Sequence, residues 1–130
     1  MLKIGQVVEK TGISADTLRY YEKIALMPRV SRNDGGVRLY QEKDLSRLRF
    51  IRRAQKMGFS LNDIASLLTF RENPQEAKPQ VQEMAVARLQ DIEHHLEELR
   101  RLRDELHQLT NRCGASADSC PILESFECKK

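Results

Sequence analysis

Gly12-Ile13-Ser14-Ala15-Asp16-Thr17-Leu18-Arg19-Tyr20-Tyr21-Glu22-Lys23 is the stretch on which the fold turns. Gly12 supplies the permissive backbone of a short turn, and Ser14 has the side chain to cap a helix whose first turn holds Asp16 and Thr17. Just upstream, Ile4, Val7 and Val8 are spaced for one face of a short helix. Two short helices joined by a tight glycine turn predict a helix-turn-helix. Downstream, Pro28 ends the helical pattern. Asn33-Asp34-Gly35-Gly36 is a strong hairpin turn between Val30 and Val37-Arg38-Leu39-Tyr40. A basic hairpin directly after a helix-turn-helix is a wing, with Arg32 and Arg38 astride its turn, in reach of phosphates or a minor groove.

Further along, a third helix is expected from Glu42 to Met57, with Leu45, Leu48, Phe50 and Ile51 inward and Arg47, Arg49, Arg52, Arg53 and Lys56 outward. Gly58 ends it, Ser60 caps a fourth helix from Leu61 to Phe70, and Arg71-Glu72-Asn73-Pro74 reads as a hinge. From Pro79 to Arg112 there is no further glycine or proline. Apolar residues recur at Ala85, Leu89, Ile92, Leu96, Leu99, Leu102, Leu106 and Leu109, a heptad seam with one shortened step. Such a helix, about 50 Å long at roughly 1.5 Å per residue, outruns a head of this size. Pairing with a second copy as an antiparallel coiled coil is the first expectation, and folding back on its own head is the alternative. The fold class is therefore mainly α, a winged helix-turn-helix head at 1–71, a hinge and dimerisation helix at 72–112, and a cysteine-containing loop and tail at 113–130.

Charge follows the same division. Residues 1–58 hold 13 Lys/Arg against 6 Asp/Glu, whereas residues 59–130 hold 9 against 13. A basic front half on an acidic back half suits a partner that is a polyanion, although a solvated helical surface would also look so. No apolar run is long enough for a membrane span or shaped as a signal peptide, so a cytoplasmic protein with no membrane partner is expected. All three cysteines, Cys113, Cys120 and Cys128, fall in the last 18 residues. An odd, terminal cluster is a poor disulfide framework and a better metal or redox site.

Thr17-Leu18-Arg19-Tyr20-Tyr21-Glu22, Gly35-Gly36-Val37-Arg38-Leu39-Tyr40, Phe50-Ile51-Arg52 and Gly58-Phe59-Ser60-Leu61 together resemble the MerR family of regulators, in order and in register from Ile4 to Phe70. The long helix and the cysteine loop extend the resemblance to about Leu123. It implies a homodimer on a pseudo-palindromic operator inside a long promoter spacer. Effector binding would bend and untwist the duplex so that the −35 and −10 elements line up for RNA polymerase, recognition in which many phosphate contacts supply the energy of deformation. It also places Thr17, Arg19, Tyr20 and Tyr21 on the recognition helix and Arg38 and Tyr40 on the wing and its return strand, where the hairpin reading already puts Arg32. Arg19, a planar fork able to bond guanine bidentately, is the expected base reader. Of the adjacent tyrosines, one is expected to reach a phosphate and the other to pack.

In metal-sensing members, two cysteines such as Cys113 and Cys120 bracket a short loop followed by a sequence like Cys120-Pro121-Ile122-Leu123. Six small residues between them can bring both thiolates onto one soft ion. Relatives that resemble sensors of divalent ions carry a third cysteine at the position of Lys78, and copper-type relatives carry a serine there. Two thiolates without a third favour linear binding of a monovalent d¹⁰ ion, Cu(I), Ag(I) or Au(I). A lysine there would offset the net negative charge of such a site. Divalent Zn, Cd, Pb or Hg stays open. Tetrahedral Zn(II) needs four ligands, of which His94, His95 and His107 along the helix body offer at most one, and Cys128 is either a third ligand or unused. A thiol redox sensor and a constitutive DNA binder are the rival regulators. An enzyme is disfavoured, because no phosphate loop, metalloprotease motif or nucleophile elbow occurs.

Overall fold

The structure is a computed structural model that describes the backbone of residues 1–115 and 120–127 and the side chains of residues 1–112 and 120–127. It divides into two compact units, Met1–Met84 and Ala85–Lys130. The first unit contains α1 (Ile4–Thr11), α2 (Ala15–Lys23), β1 (Ser31–Arg32), β2 (Arg38–Leu39), α3 (Glu42–Lys56), α4 (Leu61–Arg71) and the start of α5 (Pro74–Ala115). The second holds the rest of α5 and a short α6 (Pro121–Glu127).

Each short helix of the head is closed by its own sequence. The Lys3 amide donates to Gln6 Oε1 at 3.0 Å to start α1. Gly12, at φ +73°, ends it by donating its N–H to the Val8 carbonyl at 2.9 Å. Ser14 Oγ accepts the Thr17 amide at 3.2 Å at the head of α2, and Ser60 Oγ accepts that of Asp63 at 3.1 Å at the head of α4. Asp44, buried, accepts the Gln41 amide at 2.8 Å and so caps α3 from inside the fold. In the hairpin, Asn33 Oδ1 accepts the amides of Gly35 and Val37, both at 3.0 Å, which holds the turn while Gly36 takes φ +79°. Strands β1 and β2 pair antiparallel with Ser31 opposite Leu39 and Arg32 opposite Arg38. The N-terminus adds a bridge, with Leu2 and Tyr40 exchanging backbone hydrogen bonds of 2.9 and 2.7 Å.

The core runs through every element of the head. Val7 of α1, Leu48 and Ile51 of α3 and Ile64 of α4 expose no surface, and Leu18 of α2 is almost as enclosed. Fully burying such side chains contributes about 1.5–3 kcal/mol each. One expectation for α3 needs correction. Arg47 does not point outward, because half-buried it donates through Nε to the Leu26 carbonyl at 2.9 Å and closes the end of the α2 turn. Phe50 faces inward as expected, half-buried against the core, and the Arg71 guanidinium lies 5.1 Å from its ring centroid.

The long helix is longer than expected at both ends, 42 residues from Pro74 to Ala115. Asn73-Pro74 is the start of α5, since proline at the first helical position forfeits only an amide that has no partner anyway. Pro79 lies inside the helix, where its missing amide leaves the second turn one bond short. Ala77 is buried, and the boundary between the two units falls at Met84/Ala85, within α5. Beyond that boundary Val86, Leu89, Leu96, Leu99, Leu102 and Leu106 stand exposed, whereas Leu109 is buried. No helix among the described residues is long and apolar enough to cross a membrane.

Candidate nucleic-acid interface and metal loop

The recognition helix and the wing are tied to each other by one ion pair. Arg38 Nε lies 2.7 Å from Glu22 Oε2, with the two side chains only 24% and 12% exposed. This pair resolves a problem in the hairpin register. Arg32 and Arg38 face each other across β1 and β2, an arrangement that repels. Arg38 turns to Glu22 on α2, and Arg32 donates through Nη1 to the Gly36 carbonyl at 3.2 Å. Where α2 meets the wing, Arg19, Glu22, Lys23, Arg29 and Arg38 line an open depression of about 230 Å³, four cations around one carboxylate.

Along α2 the expected contact residues separate by exposure. Arg19 and Tyr20 are exposed, and Arg19 Nη1 rests 3.1 Å from Asp16 Oδ1, a loose solvent-screened pair one helical turn away. Thr17 is half-buried and its hydroxyl accepts a hydrogen bond from Ser14 Oγ at 2.8 Å. Tyr21 is buried, and its hydroxyl accepts from Gln55 Nε2 of α3 at 2.7 Å. Tyr40 is also buried, and burial pushes its phenol above the ordinary value against the opposing pull of Arg38. Tyr21 and Tyr40 thus pack in the core that carries the exposed Arg19, Tyr20 and Arg32. Period-3.6 spacing cannot tell which of two adjacent aromatics faces inward, and the basic neighbours of Tyr40 in sequence point to the wing rather than to the core.

Glu22, Gln55, Lys23 and Arg29 carry this geometry without any local signal that singles them out. Glu22 and Arg38 are sixteen residues apart, and Gln55 and Tyr21 are thirty-four apart. No local pattern joins such pairs.

Of the expected metal ligands, Cys113 falls in the last turn of α5 and its side chain lies outside the described residues, as do 116–119 and Cys128. Cys120 is half-buried, and its carbonyl accepts the Glu124 amide at 3.1 Å at the start of α6, where Pro121 takes the first helical position. Helix α6 stands where the sequence suggests only loop and tail. Its signal is the Cys-Pro step, which puts a proline where a helix can begin. Two cysteines are a donor set suited to a soft ion. Among the described residues no group of three or more His, Cys, Asp or Glu is placed to hold a metal. Lys78 is exposed on α5.

Comparison with known proteins agrees with the geometry of the head. Residues 2–70 match the model of the MerR HTH family regulatory protein, and residues 45–109 match that of MerR, DNA binding. The chain is 42% identical to the HTH-type transcriptional regulator ZntR of Escherichia coli strain K12, over 98% of this chain and 93% of that protein. Its structure is similar to that of the transcription regulator PbrR691 from Ralstonia metallidurans CH34 in complex with lead(II), with a TM-score of 0.74, 35% identity and coverage of 97% and 99%. It is also similar to HiNmlR, a MerR family regulator lacking the sensor domain and bound to promoter DNA, with a TM-score of 0.67, 27% identity and coverage of 88% and 89%. A capped recognition helix braced to a basic wing, on a chain matched over nearly its full length, belongs to the MerR family of helix-turn-helix transcription regulators rather than to an enzyme.

Proposed function

We propose that this chain binds a promoter spacer as a homodimer and activates transcription by distorting the duplex when Cys113 and Cys120 take up a soft metal ion. The observation that carries the reading is the pairing of Glu22 with Arg38, which joins the recognition helix to the wing as one rigid reader. In this reading Arg19 reads base edges, Thr17 and Tyr20 contact the backbone beside it, and Arg32 and Arg38 anchor the wing on phosphates. Tyr21 and Tyr40 hold that surface from beneath. The exposed leucine face of α5 pairs antiparallel with its copy, and the dimer presents the distorted promoter to RNA polymerase.

For the ion, the proposal is a monovalent one, Cu(I), Ag(I) or Au(I), held linearly. Two thiolates on M⁺ leave a net negative charge, which the ammonium of Lys78 from the dimer would offset, and the same ammonium opposes M²⁺ when no third thiolate is present. A divalent reading is favoured by a different observation, the lead(II) bound to a regulator 35% identical over nearly the whole chain. Titration of the reduced dimer with Cu(I), Ag(I), Zn(II), Cd(II), Pb(II) and Hg(II), read as promoter transcription, separates the two. Activation by Cu(I) or Ag(I), with two sulfur neighbours by X-ray absorption, supports the first. Activation by Zn(II) or Pb(II) with three or four ligands overturns it. Cys113→Ser and Cys120→Ser should each abolish induction by every metal and leave operator affinity unchanged. Response to diamide in metal-free buffer would instead mark a redox sensor.

A further inference from the structure

In the antiparallel pairing proposed above, the seam of α5 matches itself turned end for end. Ala85 falls opposite Leu106 of the second copy, Leu89 opposite Leu102 and Ile92 opposite Leu99, with Leu96 beside its own copy at the midpoint. The residues flanking the seam then meet opposite charges. Arg88 stands beside Glu105 of the second copy and Glu93 beside Arg103, the kind of pairs that set orientation and register between coiled helices. The same register puts His95 beside Glu98 of the second copy, so two histidines and two glutamates gather on one side of the twofold axis. Both side chains are exposed in the single chain. His94 Nε2 lies 3.1 Å from Glu98 Oε1 and holds that carboxylate from the face away from the seam, whereas His95 Nδ1 is 4.0 Å from Oε2.

We propose that His95 and Glu98 of both copies form a binding site for one borderline divalent cation of the Zn(II) class at the midpoint of the dimer. The site rests on the antiparallel dimer. Two imidazoles and two carboxylates match the ligand number and donor atoms of tetrahedral Zn(II), and they lack the thiolates that suit a soft monovalent ion. Cys113 and Cys120 are the opposite donor set, so the chain offers different ligands to two classes of ion. One chain alone does not make the centre, since among its described residues no group of three or more His, Cys, Asp or Glu is placed to hold a metal. His94 is a positioning residue, which keeps the Glu98 carboxylate in place as an outer partner does for a metal ligand. An ion that bridges the two copies binds the dimer and not the monomer, and so strengthens the pairing by mass action.

The test is Zn(II) and Co(II) binding to the full-length chain carrying Cys113→Ser, Cys120→Ser and Cys128→Ser, which removes every thiolate. One ion should bind per dimer, with Co(II) showing the strong visible absorption of tetrahedral coordination. Zn(II) should also lower the concentration at which the dimer dissociates. Adding His94→Gln should weaken Zn(II) binding about 10–100-fold, and His95→Gln or Glu98→Gln should each weaken it further. All three variants should sediment as dimers in chelator, which separates loss of the ion from loss of the fold. A chain that sediments as a dimer but takes up no Zn(II), or binds it with an affinity that His95→Gln leaves unchanged, would overturn the site and leave the dimer standing. A chain that is monomeric in chelator would overturn the antiparallel dimer, and the site with it.

Discussion

In the head, Leu18, Leu45, Leu48 and Leu68 keep 2% or less of their surface, whereas on α5 Leu89, Leu96, Leu99, Leu102 and Leu106 keep between 47% and 57%. The residue type is the same, and the difference lies in what each element has to pack against. Four short helices and a hairpin surround the leucines of the head and close a core within one chain. On α5, about 60 Å long at roughly 1.5 Å per residue, the leucines from Leu89 to Leu106 find no such enclosure among the described residues. Spacing by heptads makes these exposed leucines a continuous stripe rather than scattered surface residues. The leucines of the head are enclosed within its own unit, and the stripe on α5 suits the second helix proposed above.

The largest effect should follow from attacking that stripe. Leu96→Asp with Leu99→Asp would place two carboxylates in the seam, at a cost of several kcal/mol per dimer by the usual penalty for unpaired buried charge, on the order of 3–5. Sedimentation should show monomers, operator binding should collapse, and the head should keep its own unfolding transition. A double variant that still sediments as a dimer would place the interface elsewhere on the chain.

Ile51→Ala attacks the other side of the comparison. Ile51 is fully enclosed at the centre of the head, and its truncation should destabilise that unit by about 2–5 kcal/mol. Thermal unfolding of the head should shift strongly downward, while sedimentation still reports a dimer. Loss of the dimer at temperatures where α5 remains helical would show that the two units do not fold independently.

What is legible in the sequence follows the same boundary. Ser14, Gly12, Ser60 and Gly58 announce helix ends by local chemistry, and the hairpin turn at 33–36 is announced by its glycines. Those elements lie within a residue or two of where their sequence puts them. The heptad stripe is legible because periodicity is local as well. The extra length of α5 is not, because Asn73-Pro74 and Pro79 look like breaks although a proline at the first helical position is compatible with the helix it begins. Nor are the interactions that tie α2 and the wing into the head. The Glu22–Arg38 pair, the Gln55–Tyr21 hydrogen bond and the inward turn of Arg47 join residues sixteen to thirty-four positions apart. The family resemblance puts Arg38 on the wing, and only the packed head reveals what fixes it there.

Within the head, Arg19 and Arg38 sharpen the comparison between an exposed arginine, proposed to read bases, and a braced one, proposed to anchor the wing. Arg19→Ala should cost roughly 1–3 kcal/mol on the operator and relax base preference at one position per half-site. Arg38→Ala should weaken operator and random DNA alike and make the salt dependence shallower. Glu22→Gln should unfasten the wing from α2 and weaken operator and random DNA alike, but without the shallower salt dependence, because it removes no cation. Equal losses on operator and random DNA for Arg19→Ala and Arg38→Ala would erase the distinction between reading and anchoring.

The smallest expected effect tests whether the head is as well finished as its core suggests. Ala25, just past the end of α2, has φ +62° and is the one residue other than glycine among the described residues with a positive φ. At the equivalent exits of α1 and α3 the chain uses Gly12 and Gly58, with φ of +73° and +86°. A β-carbon in the left-handed region costs about 1–2 kcal/mol, so Ala25 holds strain that the two glycines avoid. Ala25→Gly should relieve it, offset by the extra chain entropy a glycine loses on folding, about 0.5–1 kcal/mol. The net stabilisation should be below about 1 kcal/mol, a rise of several degrees in the Tm of a small head. Gly12→Ala should move the Tm in the opposite direction, since it introduces the same strain at the turn where Arg52 already packs. DNA preference should not change in Ala25→Gly, because Ala25 lies at the far end of α2 from Ser14 and Thr17. A Tm that falls in Ala25→Gly would mean that the Leu26–Met27 turn, pinned by the Met27 amide on the Tyr21 carbonyl at 3.0 Å, depends on the alanine to limit its freedom.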